Sequence, residues 1–228
     1  MKTIKKINFI LALLFIGSIS INAQTDYDLD PFDEIQATGM VHVTLKKGTS
    51  LKAIVNAKGI DYDDIKVSVS EGTLKILVLK SLIKHDAKID IEVTYDQIRK
   101  IKAQAGAHFT GTEILTGDLL SLRANHASEI QIEVAVNKLE AITAEGGAIK
   151  VKGTSEIVDV RASSGAKFNG LELISNYTYA NANTGGSAKV VAKESLEASA
   201  NTGGMIEYKG KPTKTKTKKS FKGKVKEI

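Results

Sequence analysis

The sequence predicts an all-β chain, a right-handed parallel β-helix of about seven coils of ~20 residues with an antiparallel β block capping its N-terminal end. Three observations carry this expectation. First, between Ile98 and Gly204 a unit of apolar, two variable, apolar or small, one variable and Ala recurs. Its copies are Ile98-Ile101-Ala103, Leu119-Leu122-Ala124, Leu139-Ile142-Ala144, Ile157-Val160-Ala162, Tyr177-Ala180-Ala182 and, more weakly, Ser195-Ala198-Ala200, with Ala-to-Ala steps of 21, 20, 18, 20 and 18 residues. Second, three residues past each Ala stands a small residue, in five copies a glycine: Gly106, Gly147, Gly165, Gly185 and Gly203. Third, the corners are followed by alternating or β-branched runs such as Glu129-Ile130-Gln131-Ile132-Glu133-Val134, not by the helical spacings of ankyrin or tetratricopeptide units. Strands of four to six residues at about 3.3 Å per residue fit two or three to a rung of this length. Gly supplies the positive φ of a tight corner, and Ala keeps its inner side thin enough for rungs to stack about 4.8 Å apart.

Taken in order, residues 1–23 have the form of a cleavable export signal. Lys2, Lys5 and Lys6 precede an apolar core from Ile7 to Ile21, and Ile21-Asn22-Ala23 suits cleavage. That core falls short of the roughly twenty residues a membrane-spanning helix needs. The chain is therefore expected to be exported, to the periplasm, the outer-membrane surface or the medium. Residues 24–31, with alternating Asp26, Asp28 and Asp30, are expected as a solvated linker, since the Gly and distal Glu of a calcium loop are missing. Residues 32–226 are expected to form one domain.

Its first rung is Phe32-Ile35-Ala37, followed by the alternating run Met40 to Leu45. Residues 45–95 lack the Ala corner and instead show period-two runs at Leu51–Val55, Ile65–Val69, Leu74–Val78 and Ile89–Val93, with a hairpin turn at Ser70-Glu71-Gly72-Thr73. They are expected as an antiparallel meander covering the open N-terminal end of the helix. At the other end, residues 209–226 alternate Lys with Thr213, Thr215 and Thr217, the pattern of a closing edge strand guarded by like charge.

Charge is distributed unevenly. Removing the three lysines of the leader takes the formal +6 to +3, and removing the nine lysines and one glutamate of 209–228 leaves about −5 on residues 24–208. The body is acidic and the tail basic. The tail could meet anionic glycans or lipopolysaccharide; for nucleic acid, only Phe221 interleaves the lysines, so no nucleic-acid partner is expected. The absence of Cys excludes disulfides, thiolate metal sites and a thioether lipid anchor.

The opening Phe32 to Ile35, the β-rich block after it, the Ala-x-x-Gly corners and the closing Tyr208-Lys209-Gly210-Lys211-Pro212 resemble the putative autotransporter adhesin, head GIN domain family of exported bacterial proteins. The resemblance covers roughly residues 31 to 226. It implies a β-helical exported domain with adhesion as the family's label, and it carries no catalytic signature.

The residues lead to the same expectation of a non-enzymatic module. A polysaccharide lyase or hydrolase on a β-helix needs clustered acids with a nearby cation. Glu113, Asp118, Glu129, Glu133, Glu140, Glu145, Glu156, Asp159 and Glu172 fall at different offsets from their Ala, and Arg123 and Arg161 lie two rungs, about 10 Å, apart. His108 and His126 occupy different slots of adjacent repeats, and His42 and His85 belong to the N-terminal block, so no metal and no cofactor are expected. The remaining candidate is a binding surface at the last two corners, made of Asn181, Asn183, Thr184, Asn201 and Thr202, with Tyr179 as an outward aromatic and Tyr177 in the core. The plainer reading of this Asn/Thr ladder is that it satisfies turn backbone groups. An extended glycan or envelope polymer would suit a flat β-helix face; a purely structural periplasmic role is the third reading.

Overall fold

The computed structural model describes residues 24–79 and 87–228. The expected export signal and His85 lie outside the described residues. Within them the chain is a parallel β-solenoid of about seven coils with an antiparallel region at its N-terminal end.

Each full coil reads as one inward-outward alternation that bends as it goes. The regular coils are built by β9 (His108–Asn125), β10 (Glu129–Thr143), β11 (Ala148–Ala162) and β12 (Lys167–Ala182), after which the coil breaks into shorter strands: β13 (Ser187–Val191) with β14 (Ser195–Ala200), then β15 (Met205–Lys209) with β16 (Lys214–Lys219), and finally β17 (Lys224–Glu227). Before them come β1 (Gln24–Asp28), β2 (Glu34–Thr38), β3 (His42–Lys47), β4 (Lys52–Lys58), β5 (Ile65–Ser70), β6 (Thr73–Val78), β7 (Lys88–Tyr95) and β8 (Lys100–Gln104). Two faces result. On the face before the tight corner, Ile35, Ile101, Leu122, Ala141, Val160, Ala180 and Ala198 stack in register and are buried. On the face after it, Phe109, Ile130, Ile149, Phe168, Ala188 and Ile206 do the same. The first stack runs from Ile and Leu in the early coils to Ala in the last two, and the second keeps Phe or Ile at every level but Ala188, so the interior is filled along its length.

The corners are turns with two consecutive left-handed residues. Ala105-Gly106, His126-Ala127, Glu145-Gly146, Ser164-Gly165, Thr184-Gly185, Thr202-Gly203 and Phe221-Lys222 all have positive φ. This is the type I′ geometry, and the fourth-residue N–H closes it onto the first carbonyl, as from Gly186 to Asn183 at 2.9 Å. The second central N–H then donates to the next coil: Gly165 to Thr184 O at 3.1 Å, Gly185 to Thr202 O at 3.0 Å, Gly203 to Phe221 O at 2.9 Å. The inter-coil ladder therefore continues around the bend.

The structure corrects the expected phasing. Between bends, inward positions are spaced by two, so the inner set leading into a corner is Leu120-Leu122-Ala124, and Leu119, Ile157 and Tyr177 point outward. In the third copy, Thr143 and not Ala144 stands in register with Ala124 and Ala162. Consequently Gly146 takes the left-handed position, while Gly147 is the fourth residue of the turn, where a Cβ would lie 2.3 Å from Ala124 O. A strand period of two decides both, because a one-residue slip would turn every apolar side chain to solvent.

The N-terminal region differs in composition from its expectation. Only β1, β4 and β5 run antiparallel to their neighbours. β6 and β7 pair in parallel with β2 and β3 and so form a coil of the solenoid. The coil formed first in the sequence, β2–β3, is thus covered on one side by β6–β7 and on the other by β8 and the start of β9. Residues 24–28, expected as linker, form edge strand β1 on β4, with Tyr27 packed against the core. The tail likewise holds two strands joined by a corner, Ser220 to Gly223, in place of one closing strand.

At Gly165 an added Cβ would meet nothing within 4 Å, so a substitution there tests backbone conformation alone. Gly165→Val is expected to cost about 2 kcal/mol, since a β-branched residue resists φ of this sign. A thermal melt would fall by roughly 4–8 °C, whereas Gly165→Asn, which tolerates the left-handed region, loses less than half of that.

Candidate functional site

The coil register determines which outward side chains meet. On the face before the corner, Tyr179 of β12 lies between Asp159 of β11 and Glu197 of β14, and two residues on Asn181 lies between Arg161 and Ser199. These six side chains line a shallow depression of about 250 Å³. Tyr179 is 48% exposed. Arg161 pairs with Asp159 at 3.4 Å, and Lys216 of the last coil pairs with Glu197 at 2.8 Å. The result is an aromatic face flanked by two charge-paired carboxylates, an amide and a hydroxyl. Such a set suits an extended polar ligand: the ring stacks on an apolar face and the flanking groups take up hydroxyls.

The other four predicted site residues lie apart from this depression, on the corner itself. Asn183 stacks beneath Asn201 and Thr184 beneath Thr202 as successive turn residues. The Thr184 hydroxyl donates to Asn183 Oδ1; Thr202 Oγ1 and Ser220 Oγ both donate to Asn201 Oδ1, at 3.2 and 2.9 Å. The amide oxygens are thus occupied within the corner, and the expected single patch is two patches. Tyr177, expected in the core, is half-buried, and its hydroxyl donates to Glu194 at 2.7 Å; that hydrogen bond raises its pKa, as does the nearby charge.

The sequence reading missed two further features. His42 and His108, far apart in the chain, are in register on β3 and β9 with ring centroids 4.9 Å apart, and Asp90 and Glu129 flank them at 3.6 and 3.4 Å. The described residues hold no group of three or more His, Cys, Asp or Glu arranged to bind a metal. The second feature is a groove of about 770 Å³ along the bends of the N-terminal coils. The exposed Ile114 and Leu119 line it together with Arg99, Lys100 and Arg123. Arg99 is tied to Asp33 and Glu34, and Lys100 Nζ lies 3.0 Å from Glu34. Its sequence signal was the 21-residue step between Ala103 and Ala124: the extra length bulges out between Thr110 and Ile114, where the pairing with β10 shifts.

The family described as "Putative auto-transporter adhesin, head GIN domain" matches residues 31–212. The chain belongs to that family. No curated protein matches this head GIN domain chain. Among solved structures, a "putative adhesin" from Bacteroides fragilis NCTC 9343 is 21% identical with a TM-score of 0.79, covering 90% of this chain and 96% of the other. A "putative adhesin" from Parabacteroides distasonis ATCC 8503 is 20% identical with a TM-score of 0.66, covering 90% and 96%. A "putative lipid binding protein" from the same strain is 17% identical with a TM-score of 0.67, again covering 90% and 96%. At these identities the likeness shows the solenoid fold. No helix among the described residues is long and apolar enough to cross a membrane.

Ion pairs between coils follow the register, as with Lys189 and Glu207 at 2.8 Å. The hydrogen bond from Lys189 holds the Glu207 carboxyl below its ordinary pKa against the opposing effect of desolvation, and the charges of Lys189 and Lys226 add to the lowering. A lowered folded-state pKa means that the pair stabilises above the ordinary carboxylate range and that this is lost as pH falls through the lowered value. NMR titration of the Glu207 carboxyl carbon is expected to give a midpoint below that of the unfolded chain, and Lys189→Met is expected to move it upward.

Proposed function

We propose that this head GIN domain protein is an exported, non-enzymatic interaction module of the cell envelope or surface, adhesin-like, which holds an extended ligand such as a glycan against the outer face of its coils. The observation that carries this reading is the exposed Tyr179 ring, placed by the coil register between Asp159 and Glu197 with Asn181 beside it. Successive coils repeat about every 4.8 Å, so a linear polymer running along the axis meets Asp159, Tyr179 and Glu197 at regular spacing. The family's adhesin description and the leader-like residues 1–23 support an envelope or surface setting. The carboxylates beside the ring, a half-buried Asp159 and an exposed Glu197, are both paired with cations, an arrangement suited to binding more than to proton transfer.

The wild-type protein is expected to be retained on a glycan array or on peptidoglycan, and Tyr179→Ala is expected to lose at least about tenfold in affinity with its thermal midpoint unchanged. Tyr179→Phe should keep most of the binding. Equal retention of wild type and Tyr179→Ala would remove this reading.

A second reading rests on the groove. Ile114 and Leu119 are 47% and 45% exposed beside Arg123, which suits an amphiphile with an acyl chain and an anionic head, and one similar structure carries a lipid-binding description. A fluorescent long-chain fatty acid is expected to bind wild type and to be lost in Ile114→Glu with Leu119→Glu. Unchanged uptake would place any lipid site elsewhere.

A further inference from the structure

The two ends of the solenoid carry opposite charge. At the C-terminal end, β16 pairs only with β14 and β17 only with β15 among the described residues. All six residues of β16 are exposed, and residues 209–228 hold nine lysines against one glutamate. At the N-terminal end the outermost strands are β1, which pairs with β4, and β5, which pairs with β6. Here the exposed acids gather: Asp26 and Asp28 on β1, Asp30 after it, and Asp61 and Asp63 in the turn before β5.

The edges also match in direction and register. β1 is antiparallel to β4, and β4 is antiparallel to β7, so β1 runs the same way as the parallel strands of its face, β17 included. One outward column runs the length of that face. It begins at Asp26, passes through Ile54, Glu92, Thr44 and Thr110, continues through Gln131, Lys150 and Asn169, and ends Lys189, Glu207, Lys226. At its basic end the column already alternates in sign, with Lys189 and Glu207 paired at 2.8 Å. The next position of the alternation, beyond Lys226, calls for an acid. Asp26 at the far end of the same column supplies it.

We propose that this protein associates with itself head to tail: β17 of one copy pairs in parallel with β1 of the next, so that Lys226 meets Asp26 of the next copy, with Lys224 diagonal to that Asp26 and Asp28 diagonal to Lys226. Like charge forbids the alternative pairing of two lysine-rich ends. Lys219 stands in register above the inward Ala200 and keeps the β16 edge from closing on a partner, which leaves β17 as the pairing strand. The contact joins two different surfaces, so it repeats without closing and yields chains of copies, not a dimer. Because its charges are exposed, salt weakens it.

The test uses protein purified from cells expressing the full chain, with sedimentation velocity across concentration at low and high salt. Wild type is expected to form a concentration-dependent ladder of species at low salt and to fall back toward monomer at high salt, with at least about a tenfold change in the midpoint concentration. Lys224→Glu with Lys226→Glu makes both pairing strands, β17 and β1, acidic, and Asp26→Lys with Asp28→Lys makes both basic. Each variant alone is expected to stay monomeric with an unchanged melt, and an equimolar mixture of the two is expected to recover the ladder. A wild type that stays monomeric at low salt overturns the proposal. So does a ladder that survives either reversal alone, or a mixture that fails to assemble while both variants are folded. Capture of a soluble polyanion by wild type without self-association also overturns it and assigns the basic end a different occupant.

Discussion

The structure depends on a corner whose backbone polar groups stay paired while the chain reverses direction. A bend of this tightness requires two successive residues with positive φ, which all but glycine adopt at a cost. Here the first of the two is Ala, His, Glu, Ser, Thr or Phe, so the strain is accepted repeatedly. What holds it in place is the neighbouring coil: the N–H of the second left-handed residue donates to the carbonyl of the first in the next corner, from Gly106 to His126 O through to Gly203 to Phe221 O. No corner is satisfied alone. Each becomes stable when the next is laid upon it, which makes stability a sum of coil and interface contributions.

The interior follows from the same constraint. Because a tight corner brings the two faces close together, the positions beside it in the enclosed coils carry small side chains, and Ala37, Ala103, Ala124, Thr143, Ala162, Ala182 and Ala200 stand there in register. Farther from the corner the space widens and takes Leu122, Phe109 or Phe168. Outside, the same register sets charges of adjacent coils side by side, as Lys152 with Glu133 and Lys216 with Glu197. Exposed pairs of this kind contribute little singly and are weakened by salt, so they specify register more than they hold the fold.

This architecture leaves function to surfaces. The core is continuous, and the described residues show chemistry-bearing side chains on the outer faces, at the bends and at the two ends. The Tyr179 depression, the Ile114–Leu119 groove and the oppositely charged edges are three such surfaces, each using positions the core does not need. A rigid stack of coils sets them at fixed distances along one axis, which suits a module that meets extended partners.

The sequence by itself determined the class of fold, the coil length and the location of the corners, because small residues at a step near twenty and alternating apolar residues between them leave few other ways to bury the chain. It did not determine phase. Leu119 or Leu120, and Ala144 or Thr143, are equally plausible beside an alanine in one dimension; the strand period of two separates them once neighbouring coils are paired. Nor could it show that β6 and β7 complete a coil on β2 and β3, since that pairing joins segments separated by an insertion without the corner signature. The candidate site divided in the same way. Tyr179 and Asn181 were legible as outward residues, but their partners Asp159, Arg161, Glu197 and Ser199 come from coils about twenty residues away, and so do the facing rings of His42 and His108. Contacts of this kind arise from stacking, so only the tertiary structure decided them.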